Sequence, residues 1–207
     1  RVLFRSTAGA YATVGTTRAL CLLHPGGGTV VRSMTHEQHD ILIVGGGIGG
    51  LTLALCLHEA GRPCRVYEAA PEIKPLGVGI NLLPHATRVL AELGLEPALA
   101  SVAVTTKESV YYTRFGQRIY AEPAGRAAGH AHPQFSIHRA DLHRVLLDAA
   151  VSRLGADRVQ LGWRAVGADT DGPFGVVHFV DTNTGAPREA QRGAAVIDCE
   201  EIGRAHV

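Results

Sequence analysis

Five glycines stand within Gly45-Gly46-Gly47-Ile48-Gly49-Gly50, and an acid, Glu68, follows eighteen residues after the last of them. The run fits G-x-G-x-x-G through Gly45, Gly47 and Gly50. Residue types in this pattern point to capture of a dinucleotide. The first glycine lets the chain turn sharply, the second lets backbone approach a diphosphate, and the third lets a helix pack closely on a strand. Free N–H groups and the dipole at a helix start then favour the anion. Glu68 is placed to accept hydrogen bonds from an adenosine ribose.

Such a turn works only between a strand and a helix, and the flanks supply both. Ile41-Leu42-Ile43-Val44 reads as a strand buried on both faces, as in a parallel sheet. Leu51–Ala60 reads as a helix with Leu51, Ala54, Leu55 and Leu57 apolar and Gly61 as its stop. Arg65–Glu68 reads as the second strand, ending in the acid. The plain alternative is a glycine-rich loop in an unrelated α/β domain; the strand, helix and acid in order argue against it. The motif alone leaves FAD and NAD both open, since each carries an ADP half.

Composition bounds the rest. The 207 residues hold one ordinary domain, or one and part of another. With 46% apolar and 19% charged residues a core is affordable and wholesale disorder is excluded. A formal net charge of +1 gives no global case for nucleic acid or an anionic membrane. Apolar runs such as Ile41–Val44 are too short to span a bilayer. Cys21, Cys56, Cys64 and Cys199 show no C-x-x-C spacing, which excludes a zinc module or disulfide framework as the main theme and makes a reducing, cytoplasmic location the expectation. The eleven histidines do not read as a metal site: His36-Glu37-Gln38-His39 is one residue short of H-E-x-x-H and precedes a strand, and His130 and His132 sit in a loop.

The ends differ from the middle. Residues 1–33 contain no acid and carry Arg1, Arg5, Arg18 and Arg32, which suits either an organelle transit peptide or translated non-coding DNA. Arg1–Ser6 can be encoded by CGTGTGCTCTTCCGATCT, and the reverse complement of that string, read from its third base, encodes Ile202–His206 and the first base of a codon for Val207. Mirror readings of one adapter-like string at both ends favour the second alternative. The expectation is a native start near Met34 and a non-native tail from 201 to 207.

Two further stretches bear on the cofactor. Pro75-Leu76-Gly77-Val78-Gly79-Ile80-Asn81-Leu82 leads into Pro84-His85-Ala86-Thr87-Arg88-Val89-Leu90-Ala91-Glu92-Leu93-Gly94-Leu95, and Ser136-Ile137-His138-Arg139-Ala140-Asp141-Leu142 follows. With the glycine turn they resemble the class A flavoprotein monooxygenases, the para-hydroxybenzoate hydroxylase-like family, and within it the phenazine-hydroxylating members. The resemblance covers about Asp40 to Cys199. It implies FAD as cofactor, NADH or NADPH as co-substrate, and hydroxylation of a small aromatic substrate with O2. It implies that Gly45, Gly47, Ile48, Gly49 and Gly50 hold the ADP diphosphate, that Glu68 with its neighbour Ala69 binds the ribose, and that Val78, Gly79 and Ile80 lie beside the isoalloxazine. Arg139 would reach the phosphate–ribityl part, as suits a guanidinium; its alternative is an ordinary arginine at a helix start. Trp163 would meet the adenine side through backbone, or equally pack in the core. The family continues past a strand like Ala195-Val196-Ile197 with an Asp-Gly motif. Here Ile197-Asp198-Cys199-Glu200-Glu201 stands instead.

The expected fold class is α/β: a Rossmann-like FAD-binding βαβ fold with part of a β-sheet substrate domain. The expected spans are a non-native or disordered leader over 1–33, an FAD-binding part over 34–100, part of a substrate-binding sheet over 101–135, the FAD-binding domain again over 136–200, and the tail. Val102–Ala121 reads as a hairpin about Arg114-Phe115-Gly116-Gln117, and Pro123–Pro133 as a loop. Ala140–Leu154 reads as a helix, Val159–Leu161 as a strand, and Val176–Val180 and Ala194–Ile197 as strands flanking a turn at Asp181–Gly185. Two rivals remain at this point: an NAD(P)-dependent dehydrogenase with the same first βαβ unit, and an inactive truncated nucleotide-binding fragment. No catalytic acid or base stands out, and oligomeric state is left unassigned.

Overall fold

Residues 41–44 carry no polar side chain, and the structure, a computed structural model that describes residues 39–72 and 78–200, buries Leu42, Ile43 and Val44 almost completely. The leader, Met34, His36-Glu37-Gln38, the tail and Pro75-Leu76-Gly77 lie outside the described residues. In chain order the elements are β1 (Ile41–Val44), α1 (Ile48–Glu59), β2 (Cys64–Glu68), β3 (Gly79–Leu82), α2 (Pro84–Glu92), α3 (Glu96–Val102), β4 (Val104–Thr106), β5 (Glu108–Tyr112) and β6 (Arg118–Pro123). There follow β7 (Gln134–His138), α4 (Arg139–Leu154), β8 (Val159–Leu161), β9 (Trp163–Asp171), β10 (Phe174–Asp181), β11 (Gln191–Gly193) and β12 (Ala195–Asp198).

A parallel sheet in the order β12-β1-β2-β8 forms the middle layer. Because side chains alternate along a strand, β1 feeds two cores. Ile43 joins Val66, Leu51, Ala54, Leu55, Leu142, Leu146 and Ala150, the apolar stripes of α1 and α4. Leu42 and Val44 join Tyr67, Val177 and Phe179 on the other face, under the antiparallel sheet β11-β10-β9. Covering on both faces is why β1 reads as an unbroken apolar run and not as an alternation. The α/β, Rossmann-like architecture with added antiparallel sheets is therefore as expected. Among the described residues no helix is long and apolar enough to cross a membrane.

Asp40 fixes the entry to β1. Its carboxylate accepts from Arg65 Nε at 2.8 Å and from an Arg158 Nη at 2.5 Å, tying β1 to β2 and to the start of β8. Beside it, burial, with Asp40's charge adding and Arg158 opposing, pushes the Cys64 thiol up to about 11.

The middle of the chain corrects the expected hairpin. Val102 ends α3, and Val104 pairs with Ser136 of β7, in a sheet of order β3-β7-β4. The true hairpin is β5–β6, turned through Thr113–Gln117. Scattered alternation across 102–112 concealed the break between two sheets. The expected loop Pro123–Pro133 contains a 3-10 turn over Gly125–Ala128. Between the two late strands stands the short β11, and before them β9, nine residues of which most are exposed.

Two outcomes follow for the folded chain. Leu146→Ala, at a fully buried position between α4 and the sheet, is expected to cost about 2–5 kcal/mol in urea unfolding. The raised Cys64 pKa adds stability that is fully present below the ordinary thiol value of 9.0 and lost as pH rises toward about 11. Cys64 should accordingly resist iodoacetamide at mildly alkaline pH in the native chain and react in urea, as peptide mass mapping would record.

Candidate functional site

The glycine turn sits where the parallel sheet changes its direction of growth. β2 and β8 extend it to one side of β1 and β12 adds on the other, which opens a crevice at the carboxyl ends of β1 and β12. Ligands of open α/β sheets bind in such crevices. The Cys199 amide donates to the Val44 carbonyl at 2.7 Å and the Gly45 amide to the Tyr67 carbonyl at 2.8 Å, so three strand ends meet there.

Gly45 leaves β1 at φ +103°, and a Cβ on it would stand 2.8 Å from the Cys199 carbonyl carbon. A Cβ on Gly50 would fall 1.9 Å from the Gly45 oxygen and lever α1 off β1. Gly47 and Gly49 are the opposite case: their Cβ positions meet nothing within 4 Å. α1 begins at Ile48 with no side-chain cap and no acid in its first turn. Its opening amides and the positive end of its dipole are thus available beside an open cradle, and these residues fit a diphosphate.

Glu68 closes the far side of the turn. It accepts from the Gly46 amide at 2.6 Å and from the Ala70 amide at 2.7 Å, one bond on each carboxylate oxygen. Each oxygen keeps acceptor capacity for a hydroxyl. Ala69 is held by Thr182 Oγ1, which donates to its carbonyl at 2.6 Å. The two sequence motifs that flank the expected isoalloxazine come together across β3 and β7. Gly79 pairs with His138 and Ile80 with Ile137, and the Arg139 amide donates to the Val78 carbonyl at 3.1 Å. Val78 is 73% exposed, and Arg139 is the exposed first residue of α4.

Trp163 packs its indole in the second core, 5.3 Å from the Tyr67 ring and 5.4 Å from that of Phe179, with the Arg188 guanidinium 4.6 Å from its own. Of the two roles open in the sequence, the side chain takes the packing one. Its backbone starts β9 just after Gly162, whose amide bonds to Ala70 at 3.1 Å. Sequence reasoning missed Gly46, an unspecified position of the fingerprint that touches Glu68. It also missed His143, whose Nε2 lies 2.7 Å from the Gly46 carbonyl. Their partners lie 22 and 97 residues away, beyond any local pattern.

A separate cleft of about 640 Å³ lies at the other end of β3, lined among others by Leu83, His85, Arg88, Glu122 and His132. Its size suits a small molecule. The dinucleotide reading rests on the start of α1 and not on that cavity.

Comparisons with known proteins bear on the family. Residues 40–151 match the family model described as tryptophan halogenase. A phenazine 1,6-dicarboxylic acid hydroxylase of Lysobacter antibioticus is 45% identical over 158 residues, 76% of this chain and 36% of the relative. A 3-amino-4-hydroxybenzoate 2-monooxygenase of Streptomyces cremeus is 40% identical over 154 residues, 72% of this chain and 37% of the relative. A variant of Klebsiella pneumoniae HpxO, solved in complex with FAD, is 26% identical with a TM-score of 0.64, over 76% of this chain and 38% of that one. The chain thus spans about a third of the length of the curated relatives it matches. The halogenase model runs from β1 through most of α4, the part that carries the glycine turn.

Two glycine variants separate cradle from packing. Gly47→Ala is expected to leave the urea midpoint of the ligand-free chain within about 0.5 kcal/mol of the parent, while weakening ADP binding roughly tenfold or more in calorimetry. Gly50→Ala should instead destabilise the ligand-free chain by about 1–3 kcal/mol through overpacking.

Proposed function

Because the chain belongs to the class A FAD-dependent monooxygenases, we propose that it is the FAD-holding portion of an enzyme that hydroxylates a small aromatic substrate with O2 and NADH or NADPH. The observation that carries the proposal is the uncapped start of α1 standing beside two open glycines, with Glu68 at the adjacent strand end. The hydroxylases among the relatives support the aromatic substrate.

In this reading the amides of Gly47, Ile48, Gly49 and Gly50 bind the FAD diphosphate, with Gly47 and Gly49 giving it room and Gly45 making the turn. The Glu68 carboxylate accepts from the adenosine ribose, and Ala69 and the Trp163 backbone flank the adenine side. Val78, Gly79 and Ile80 present backbone to the isoalloxazine edge and exclude water from it. Arg139, tied to Val78 through its amide, neutralises phosphate charge near the ribityl chain. When bound, FAD would supply the redox chemistry of an NAD(P)H- and O2-dependent hydroxylation. The spans 34–100 and 136–200 serve the FAD and 101–135 the substrate side, in the cytoplasm.

The test is a titration of the purified 207-residue chain with FAD, followed by flavin fluorescence and the visible spectrum. One FAD per chain is expected, displaced by ADP, with no turnover of NAD(P)H in the absence of the rest of the enzyme. Tight NAD binding with no uptake of FAD would instead make the chain a dehydrogenase module.

A further inference from the structure

We propose that His143 is a positioning residue for the diphosphate: from α4 it locks the Gly46–Gly47 peptide so that the Gly47 N–H is held toward the cradle. The inference deepens the FAD reading and rests on it. Gly46 is gripped from two sides. Its amide donates to the Glu68 carboxylate at 2.6 Å, and its carbonyl lies 2.7 Å from His143 Nε2. A carbonyl only accepts, so Nε2 carries the hydrogen and donates. The other nitrogen, Nδ1, is buried with no hydrogen-bonding partner among the described residues, so nothing competes to turn the imidazole over.

The peptide that this bond holds is flanked by glycine on both sides. No Cβ resists rotation of its plane, and a plane joining two glycines turns over more easily than one with a side chain beside it. In a trans peptide the C=O of one residue and the N–H of the next point in opposite directions. Drawing the Gly46 oxygen toward α4 therefore sends the Gly47 N–H away from α4. A flipped plane would present an oxygen, and a partial negative charge, to the diphosphate where the held plane presents a donor. The same helix begins at Arg139, whose amide is bonded to Val78. One element therefore sets both a diphosphate donor and the strand beside the isoalloxazine.

The test compares the parent 207-residue chain with His143→Gln, His143→Asn and His143→Leu. Gln offers an amide N–H near the place of Nε2, whereas Asn offers one nearer that of Nδ1. FAD affinity is read by flavin fluorescence and ADP affinity by calorimetry, and the thermal midpoint of each ligand-free chain is recorded alongside. The expected result is a roughly tenfold loss for both ligands in the Asn and Leu variants, recovery to within about twofold in the Gln variant, and matching ligand-free midpoints for Gln and Asn. ADP binding by the Asn and Leu variants equal to the parent, or equal losses for Gln and Asn, would overturn the role of His143 while leaving the FAD site standing. A parent chain that takes up neither FAD nor ADP would overturn the FAD reading and the inference with it.

Discussion

A single backbone unit, Gly46, ties the candidate site to the rest of the molecule. The carboxylate at the end of β2 holds its amide and a ring on α4 touches its carbonyl. The turn between β1 and α1 is rich in glycine, and a segment so free of side chains has little of its own to define its shape. Its shape is borrowed from three neighbours: β2, α4 and the end of β12, whose Cys199 lies against Gly45. The close approach at Gly46 is part of that arrangement, since a Cβ there would stand 2.8 Å from the Cβ of Glu68.

Those neighbours are in turn placed by burial. Ile43 faces the helices and Leu42 and Val44 the antiparallel sheet, so sliding β1 by one residue would exchange the two cores. Register, and with it the position of Gly45, is fixed by hydrophobic packing on both faces. The Asp40 carboxylate, bonded to Arg65 and Arg158, marks the other end of the same strand.

The parts legible in the sequence are those whose physics is local. An apolar run, a glycine turn, an amphipathic helix ending at Gly155 and an acid at a strand end each announce themselves within a few residues. What escaped detection depends on distant partners. β9 carries Gly167, Asp169 and Asp171 and is given no element by the sequence, yet pairing with β10 along its length holds it extended. The seam of β3 with β7 joins residues about sixty apart, and only family resemblance hinted that the two stretches serve one ligand. Glu68 was read as a ribose acceptor, but nothing in its neighbourhood shows that both its oxygens already serve the backbone. Trp163 stood between two roles in the sequence because a tryptophan after a short strand suits either.

The double engagement of Glu68 has a consequence for selectivity. A carboxylate anchored by two amides has lost its rotamer freedom during folding, so a ligand that meets it need not freeze it again. Its charge is equally fixed in place. At the proposed ribose site, an adenosine with a free 2′-hydroxyl would find a ready acceptor, while one bearing a 2′-phosphate would bring a second negative group against an immobile first.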